Sequence, residues 1–398
     1  MEPLYISTGK VADGEDRYFP RKQIEQKIWR KIKQGENLLL AAPRRTGKSS
    51  ILKFIEKHPE PNYLIKYKSV QSIDSTNEFF KHLYILLLED DLVFAHYKRY
   101  LNKAANTLKK FISRIRGISL EGVEISPDEK IDYHHEFCTL LGMLPEDMGT
   151  LVFLIDEFPD AVKNIAGESE KQGIHFLQLN RDLRLGSANP KFQFVYTGSI
   201  GLGNVVNKLG RLDLINDIIN ITVSPLSFEE GRLFIQRLAL GLQKRGDNLI
   251  LGENIIEYIL AKDSWRIPYY IQIIVDELCE EAQDTDLPVD EKAVDRTIFR
   301  IIQDRYAYQD YFENWKTRLK QALEIDEYRF AIQALNQIST HGSMDFNQLH
   351  DLAVSLGIDD VKAVINILEY DGYISRDKGE YRFNSIILKE WWYINVAA

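Results

Sequence analysis

The sequence predicts an α/β fold built on a mainly parallel sheet. Short apolar strand candidates alternate with amphipathic helix candidates through the first half of the 398 residues. Residues 151–155 are five apolar residues in a row, which is typical of a strand buried on both faces. Another apolar strand candidate, 37–42, runs into a glycine-containing loop and then a helix. In open α/β sheets of this class, ligands bind at the carboxyl ends of the strands.

The remaining elements of this half follow in order. Ile24, Ile28 and Ile32 recur every four residues and predict an amphipathic helix before the first strand. The loop after that strand leads into a helix predicted at about 48–57, and a helix-rich stretch runs to about residue 117. Three further β segments are predicted from alternating or apolar patterns: 63–70, a small hairpin at 118–125, and 192–197.

In the second half of the chain, the pattern of predicted secondary structure changes twice, near residues 225 and 325. Ser227 and Glu230 form a capping-box pattern that opens a helical region. After residue 325, three helical stripes are followed by two short strands around the turn Lys378-Gly379, which is typical of a winged helix. The sequence therefore predicts three domains, over 1–225, 226–325 and 326–398.

Composition narrows the protein class. The net charge of −9 argues against a surface devoted as a whole to nucleic acid. The two cysteines, Cys138 and Cys279, lack disulfide or zinc spacing, and no apolar run approaches the length that spans a bilayer. The beginning of the chain shows no signal pattern. We expect a soluble cytoplasmic protein that does not act in a membrane.

The strongest motif fits GxxxxGK[S/T] at every position but the first, and reads Ala42-Pro43-Arg44-Arg45-Thr46-Gly47-Lys48-Ser49. Its backbone N–H groups and the N-terminus of the following helix suit the phosphates of ATP. Lys48 would reach the β- and γ-phosphates, and Ser49 would bind Mg²⁺. Ser50 follows within the same predicted binding segment. We expect Lys48 at an exposed helix start, where folding does not need it.

Three residues of this loop leave alternatives open. Ala42 replaces the usual first glycine, and it costs little at negative φ but strains the loop by about 1 kcal/mol at positive φ. Arg44 and Arg45 lie inside the loop, where each is either a phosphate contact or a solvated arginine.

Two carboxylates follow the apolar strand at 151–155. Asp156 would hold Mg²⁺, mainly through water, and Glu157 would polarise the attacking water. A solvated strand end is the alternative, but the presence of the phosphate loop favours the functional interpretation. Sequence alone thus predicts Lys48 and Glu157 as catalytic residues.

Three weaker candidates complete the site. Ser199 follows the strand at 192–197, where a polar residue senses the γ-phosphate in NTPases with an extra strand between the two motifs; a simple turn is the alternative. Arg211 is predicted as an arginine finger, in cis or from a neighbouring subunit, with a surface salt bridge as the alternative. Pro268 lies where a lid contacts nucleotide, although a proline also starts helices well.

Several motifs in this order resemble the archaeal-type ATPases of the STAND P-loop class, which are relatives of AAA+ proteins. The similar segments are APRRTGKS, LVFLIDEF, YTGS, GRLDLINDI, PLSFEE, RIPYY and the closing YRFNS with Trp391-Trp392. The resemblance implies an NTPase core, a helical lid, a winged helix and an ATP-driven switch. It also implies that Arg21 lies near the adenine. Ala42, and Arg266 before Ile267-Pro268, replace glycines that are usual in the family.

Two features bear on nucleic acid. Residues 97–117 contain seven basic and no acidic residues, but their apolar stripe favours a helix packed on the core with a solvated basic face. Residues 326–398 contain 11 acidic and 6 basic residues, a net charge of −5 that is poor for DNA. This segment is therefore interpreted as a packing or protein-interaction module before a DNA reader.

The sequence predicts a Mg²⁺-dependent ATPase that switches conformation or assembly. We expect a homo-oligomer in the ATP state and a protein partner whose identity the sequence does not reveal. Two other functional classes remain open. One is an ATP-dependent DNA-binding factor, such as an initiator-like or mobile-element ATPase. The other is a nucleotide-binding scaffold with little hydrolysis.

Overall fold

A computed structural model describes residues 2–8, 10–101, 112, 131–144, 148–186, 192–198, 201–247, 249–285, 288–303 and 308–397. The hairpin predicted at 118–125, most of the basic segment 97–117, and Ser199 lie outside the described residues.

The chain divides into two compact units. The sheet unit contains Lys22–Ala41 and Ile51–Ile221. The helical unit contains Met1–Arg21, Ala42–Ser50 and Thr222–Ala398. The predicted three-domain division, at 225 and 325, stays a prediction.

The sheet unit is made of strands that alternate with helices. These elements are α1 (Lys22–Lys33), β1 (Asn37–Ala41), α2 (Lys48–Lys57), β2 (Tyr63–Ser69), α3 (Thr76–Leu88), α4 (Asp91–Leu101), α5 (Tyr133–Gly142), β3 (Thr150–Asp156), α6 (Phe158–Glu168), α7 (Glu170–Arg184), β4 (Phe192–Thr197), α8 (Leu202–Lys208), a 3₁₀ helix (Leu212–Ile215) and β5 (Ile218–Thr222). The first three residues of α2 and the last of β5 belong to the helical unit.

The five strands form one sheet in the order β2-β3-β4-β1-β5. β3 pairs in parallel with both β2 and β4, and β4 pairs in parallel with β1. Residues Leu151–Asp156 of β3 are all buried, as the apolar run predicts for a strand covered on both faces. Parallel pairing brings the carboxyl ends of β3, β4 and β1 to the same edge of the sheet.

Aromatic rings and two polar anchors hold this sheet together. Phe194 stacks between Phe153, at a ring-centroid distance of 5.4 Å, and Tyr196, at 5.3 Å. The Asn37 amide oxygen accepts a 2.8 Å hydrogen bond from the Phe194 N–H, which fixes the start of β1 against β4. Arg184 at the end of α7 is fully buried and donates to both carboxylate oxygens of Asp217, at 2.7 and 2.9 Å.

The helical unit is mostly α-helix. Its elements are α9 (Phe228–Arg245), α10 (Glu253–Lys262), α11 (Pro268–Thr285), α12 (Glu291–Gln303), α13 (Gln309–Ala322), α14 (Ile325–His341), β6 (Met344–Asp345), α15 (Phe346–Ser355), α16 (Val361–Tyr370), β7 (Ile374–Asp377), β8 (Glu380–Phe383), α17 (Ile386–Trp392) and a π-helical turn (Tyr393–Ala397). The short strands form a second sheet in the order β6-β8-β7.

Local sequence signals set the starts of these helices. Ser227 and Glu230 form the predicted capping box at the start of α9, and Asp345 with Gln348 forms another at α15. The turn between β7 and β8 is made by Lys378 at φ +50° and Gly379 at φ +93°. The three helices and the hairpin predicted for the C-terminal segment are therefore present as α14, α15, α16 and β7-β8.

One apolar core runs through the helical unit and includes its first residues. Leu4 is buried, and its N–H donates a 2.9 Å hydrogen bond to the Arg237 carbonyl of α9. Gly241 lies under the Leu4 carbonyl, where any Cβ would clash with the Leu4 oxygen. The N-terminal segment at Leu4 can pack this closely on α9 because residue 241 is a glycine and has no side chain. No helix in the described part of the chain is long and apolar enough to cross a membrane.

The buried Arg184–Asp217 pair should be sensitive to loss of one partner. We expect Asp217→Ala to lower the free energy of unfolding by about 3 kcal/mol, because it leaves a buried guanidinium without its counter-ion. Urea unfolding followed by circular dichroism measures the change. Asp213→Ala, which removes the exposed partner of Arg211, is the matched control and should change stability little. Equal effects of the two substitutions would contradict the prediction.

Candidate functional site

The predicted phosphate loop, Ala42–Ser50, begins at the residue after β1 and ends in the first turn of α2. Two of its residues have left-handed backbone, Arg45 at φ +67° and Gly47 at φ +94°. Ala42 is buried and is absent from the positive-φ positions, so alanine replaces the usual glycine there without backbone strain. The strain lies at Arg45 instead. Left-handed residues of this kind turn backbone N–H groups into anion-binding concavities.

Some residues of the loop form hydrogen bonds with one another, and we call them its inner half: Ala42, Pro43, Thr46 and Lys48. The Lys48 ammonium donates to the carbonyls of Ala42, at 2.7 Å, and Pro43, at 2.9 Å. The Thr46 hydroxyl also donates to the Pro43 carbonyl, at 2.9 Å. Lys48 is 7% exposed, so the expectation of an exposed helix start is wrong. The reason is that the loop folds back over the lysine, which the motif alone does not reveal.

The outer half of the loop, Arg44 and Arg45, contacts other parts of the helical unit. Arg44 donates a 3.1 Å hydrogen bond to the Asn314 side-chain oxygen of α13, and the Arg45 guanidinium lies over the Tyr269 ring of α11 at 4.3 Å. A cavity of about 20 Å³ beside these contacts has room for about one water molecule. Its lining residues are Arg44, Arg45, Tyr269, Asn314, Trp315, Arg318, Asp371 and Tyr373.

Pro43 also packs against the helical unit. It lies against Gly372, where an added Cβ would be 2.7 Å from the Pro43 Cβ and 2.6 Å from the Trp265 ring. Gly372 also has left-handed backbone, at φ +88°, in the turn between α16 and β7. Both the space and the backbone therefore require glycine at this position. Ser49 is half-buried, and the Ser50 hydroxyl accepts a 3.0 Å hydrogen bond from the Ala12 N–H.

Two predicted nucleotide contacts lie in the helical unit: Arg21, which the family resemblance implies, and Pro268, which the predicted lid position suggests. Arg21 is 5% exposed, donates to the Ser224 carbonyl at 2.8 Å and pairs with Glu230 at 3.6 Å. Pro268 is the first residue of α11. Arg21 thus makes contacts within the helical unit, and Pro268 begins a helix. The contact of either residue with nucleotide stays a prediction.

Arg266 precedes Ile267-Pro268 in left-handed backbone, at φ +50°, so it occupies the conformation that favours the family's glycine. Its guanidinium donates to the carbonyls of Leu226, at 2.9 Å, and Ser264, at 3.0 Å. These two hydrogen bonds hold the strained residue in place.

In the sheet unit, Asp156 ends β3 and is 4% exposed. One carboxylate oxygen accepts a 2.9 Å hydrogen bond from the Tyr67 hydroxyl of β2. The other accepts from the Thr197 hydroxyl of β4 and from the Glu157 N–H at 3.1 Å. The two neighbouring strands therefore each supply a donor that fixes the carboxylate, as parallel pairing of β3 on both sides allows.

The Tyr67 hydroxyl is held in its protonated form. Burial is the first cause and the negative charge of Asp156 the second, and together they raise the pKa of Tyr67 well above its ordinary value. The Lys53 ammonium lies over the Tyr67 ring at 3.8 Å, so the ring is held from α2 as well. Tyr67 consequently remains a hydrogen-bond donor to Asp156 through the physiological pH range.

Glu157 follows Asp156 in left-handed backbone, at φ +57°, and precedes α6. A non-glycine residue in this conformation stores strain of about 1 kcal/mol, and such residues cluster at functional sites. Whether Glu157 acts as a base or is a strand-end carboxylate stays a prediction.

Arg211 lies on the surface of the sheet unit. It donates to both oxygens of Asp213, each at 2.9 Å, so the surface salt bridge considered as its alternative role is present. The role of Arg211 as an arginine finger stays a prediction.

Sequence reasoning missed Tyr67, and it named Thr197 only as part of a strand end. The parallel register places Tyr67 opposite Leu154 and Ser69 opposite Asp156, so Tyr67 lies two residues before the end of β2. A polar ring near the end of the strand next to the acidic strand is a candidate partner once strand order is known. Sequence alone did not give that order.

The donor set can be compared with the needs of Mg²⁺. Within the described residues, no group of three or more His, Cys, Asp or Glu side chains is placed to hold a metal ion. Magnesium usually needs only one or two protein oxygens, because waters and substrate phosphates complete its shell. Hydroxyl and carboxylate oxygens are ligands of the type Mg²⁺ prefers, so the side chains of Ser49 and Asp156 each have suitable chemistry for this ion.

Comparisons with known proteins identify the fold. No family model matches the sequence, and no curated protein matches it. A Walker-type ATPase of Pyrococcus abyssi superposes with a TM-score of 0.60 at 16% identity, over 96% of this chain and 98% of that one. The ORC2 protein of Aeropyrum pernix superposes with a TM-score of 0.50 at 12% identity, over 98% and 97%. The chain therefore shares the α/β fold of these two proteins. The predicted α/β fold class is confirmed.

The Tyr67–Asp156 hydrogen bond should contribute measurably to stability. We expect Tyr67→Phe to lower the free energy of unfolding by about 2 kcal/mol at pH 7, because a buried carboxylate loses a donor. The folded-state pKa of Tyr67 is raised, so its contribution is complete below about pH 10 and is lost as the pH rises further. Urea unfolding at pH 7 and above pH 10 tests both parts.

Tyr63→Phe on the same strand is the matched control, and it should change little because Tyr63 contacts Trp29 through its ring. A difference between wild type and Tyr67→Phe that grows above pH 10 would contradict the assigned hydrogen bond.

Proposed function

We propose that this chain is an ATP-binding P-loop ATPase of AAA+/STAND type, which hydrolyses ATP with Mg²⁺ as a conformational or assembly switch. The observation that carries the proposal is that the two sequence motifs follow two strands of the same sheet, with one further strand between them. The phosphate loop follows β1, the acidic pair ends β3, and β4 lies between these strands with Thr197 at its end. The Aeropyrum pernix neighbour is a complex with ADPNP and ADP, which supports adenine nucleotides as the ligand.

Lys48 is the proposed phosphate ligand. Its ammonium is now bonded to two carbonyls of the loop, and those neutral acceptors are weaker partners than charged phosphate oxygens. A nucleotide would therefore draw the lysine away from Ala42 and Pro43. The first turn of α2 adds backbone donors and the positive end of the helix dipole.

Ser49 and Asp156 are the proposed magnesium ligands. Mg²⁺ would neutralise charge on the phosphate oxygens when bound. Asp156 already accepts hydrogen bonds on both carboxylate oxygens, so its contact with the ion through water is the geometry we favour. Tyr67 and Thr197 keep the carboxylate in one orientation, which makes them positioning residues of this site.

Glu157 is the proposed base that orients the attacking water. Its left-handed backbone is set by the turn between β3 and α6, so the carboxylate leaves the chain in a direction that an extended strand would not give. Strain kept at a carboxylate beside a fixed aspartate supports a catalytic role over a solvated strand end.

The proposed switch involves the C-terminal residues and a protein partner. We interpret residues 326–398 as a winged helix that binds protein before DNA, because their 11 acidic and 6 basic residues would repel phosphates. Arg211 is the proposed finger for the γ-phosphate, and a homo-oligomer in the ATP state would let it serve a neighbour. Two free cysteines suit a cytoplasmic location.

Lys48→Ala should abolish nucleotide binding. The change removes the one lysine of the loop while leaving its backbone donors, and fluorescence titration with an N-methylanthraniloyl ATP analogue measures the result. Lys57→Ala at the other end of α2 is the matched control, since it removes the same charge from an exposed position. Because Lys48 is buried, thermal melts of both variants must show a folded chain. Wild-type affinity in folded Lys48→Ala would refute the assignment.

Glu157→Gln should bind ATP normally and hydrolyse it at least about 100-fold more slowly, because the amide keeps the shape but loses the basic charge. Phosphate release and analogue binding are measured in parallel. Glu168→Gln, at the other end of α6, is the control and should leave both unchanged. Unchanged phosphate release in Glu157→Gln would make this residue a simple strand-end carboxylate.

A further inference from the structure

The Arg45–Tyr269 contact joins an exposed arginine to a buried ring. The guanidinium lies 4.3 Å from the ring centroid, which is within the range of a cation–π interaction. Tyr269 is 5% exposed and occupies the second position of α11, whereas Arg45 lies in the middle of the phosphate loop. The ring is therefore a fixed platform, and the loop residue is the partner with freedom to move.

Arg45 has a backbone conformation that an arginine does not favour. Its φ of +67° brings the Cβ close to a carbonyl oxygen, and glycine avoids that crowding. Among residues 42–50, all of which the structure describes, Arg45 is the only non-glycine with positive φ. Some favourable contact must offset this strain if the loop is to keep its shape.

The other contacts between the loop and the rest of the helical unit do not involve the strained backbone of Arg45. Arg44 reaches Asn314, and Pro43 packs on Gly372, but neither residue has left-handed backbone. Thr46 and Lys48 are bonded within the loop itself. The stack on Tyr269 is thus the contact through which the helical unit acts on residue 45.

We propose that Tyr269 is a positioning residue for nucleotide binding, because its ring holds Arg45 in the left-handed conformation on which the phosphate-binding shape of the loop depends. The inference rests on the proposed nucleotide site. It makes the affinity for nucleotide depend on α11, through one side-chain contact. Arg45 then acts through its backbone, and its guanidinium acts as the anchor that keeps that backbone in place.

A double-mutant cycle on the full chain tests the coupling. The probe is the N-methylanthraniloyl ATP analogue with Mg²⁺, and the readout is Kd. Tyr269→Leu should weaken binding about two- to fivefold in the wild-type chain, as expected for a lost cation–π contact at an exposed site. In the Arg45→Gly background, the same change should have no further effect, because glycine needs no anchor. Tyr269→Phe keeps the ring face and is the matched control.

A second comparison uses only the exposed position, where misfolding is not a concern. Arg45→Gly and Arg45→Ala both remove the guanidinium, but only alanine keeps the Cβ that crowds the left-handed backbone. We expect Arg45→Ala to bind the analogue about fivefold more weakly than Arg45→Gly, which corresponds to about 1 kcal/mol. Thermal melts without nucleotide confirm that all variants are folded.

The outcomes separate the inference from the proposed function. Equal weakening by Tyr269→Leu in both backgrounds would show that the tyrosine acts by packing alone and would overturn the inference. Equal Kd values for Arg45→Ala and Arg45→Gly would overturn it as well, since the backbone conformation would then not limit binding. Failure of the wild-type chain to bind the analogue would overturn the proposed function, and the inference with it.

Discussion

Parallel pairing of β3 on both sides is the constraint on which the acidic part of the site depends. Because β2, β3 and β4 run in the same direction, their carboxyl ends meet at one edge of the sheet. Asp156 and Thr197 are the last residues of β3 and β4, and Tyr67 lies two residues before the end of β2, although the three are far apart in sequence. A buried carboxylate without donors would be costly, and the two neighbouring hydroxyls remove that cost.

The phosphate loop follows a different principle. Its inner half is stabilised by hydrogen bonds from Lys48 and Thr46 to the carbonyls of the same loop, and its outer half is stabilised by side chains of α11 and α13. The first set joins residues that are at most six positions apart. The second set ties the shape of the loop to helices that lie far along the chain, so a change in either would be felt by the other.

Arginines occupy two left-handed positions of the helical unit, Arg45 and Arg266. In both cases, the guanidinium makes a contact that offsets the backbone strain: a ring for Arg45, and two carbonyls for Arg266. A glycine would adopt either conformation without strain, but it would also leave the segment free to adopt others. The arginines therefore replace permissive backbone with backbone that is held by a specific neighbour.

The sequence by itself determined the fold class and predicted the phosphate loop and the acidic pair, because these depend on local patterns. An apolar run marks a buried strand, Gly47-Lys48-Ser49 marks a loop entering a helix, and Ser227 with Glu230 marks a cap. Only the tertiary structure decided that Lys48 is buried, that Tyr67 and Thr197 hold Asp156, and that Tyr269 supports Arg45. The burial of Lys48 depends on how the loop folds back over it, which the motif does not reveal. The contacts of Asp156 and Arg45 depend on strand order and join residues more than 40 positions apart, for which the spacing of residues along a single chain carries no signal.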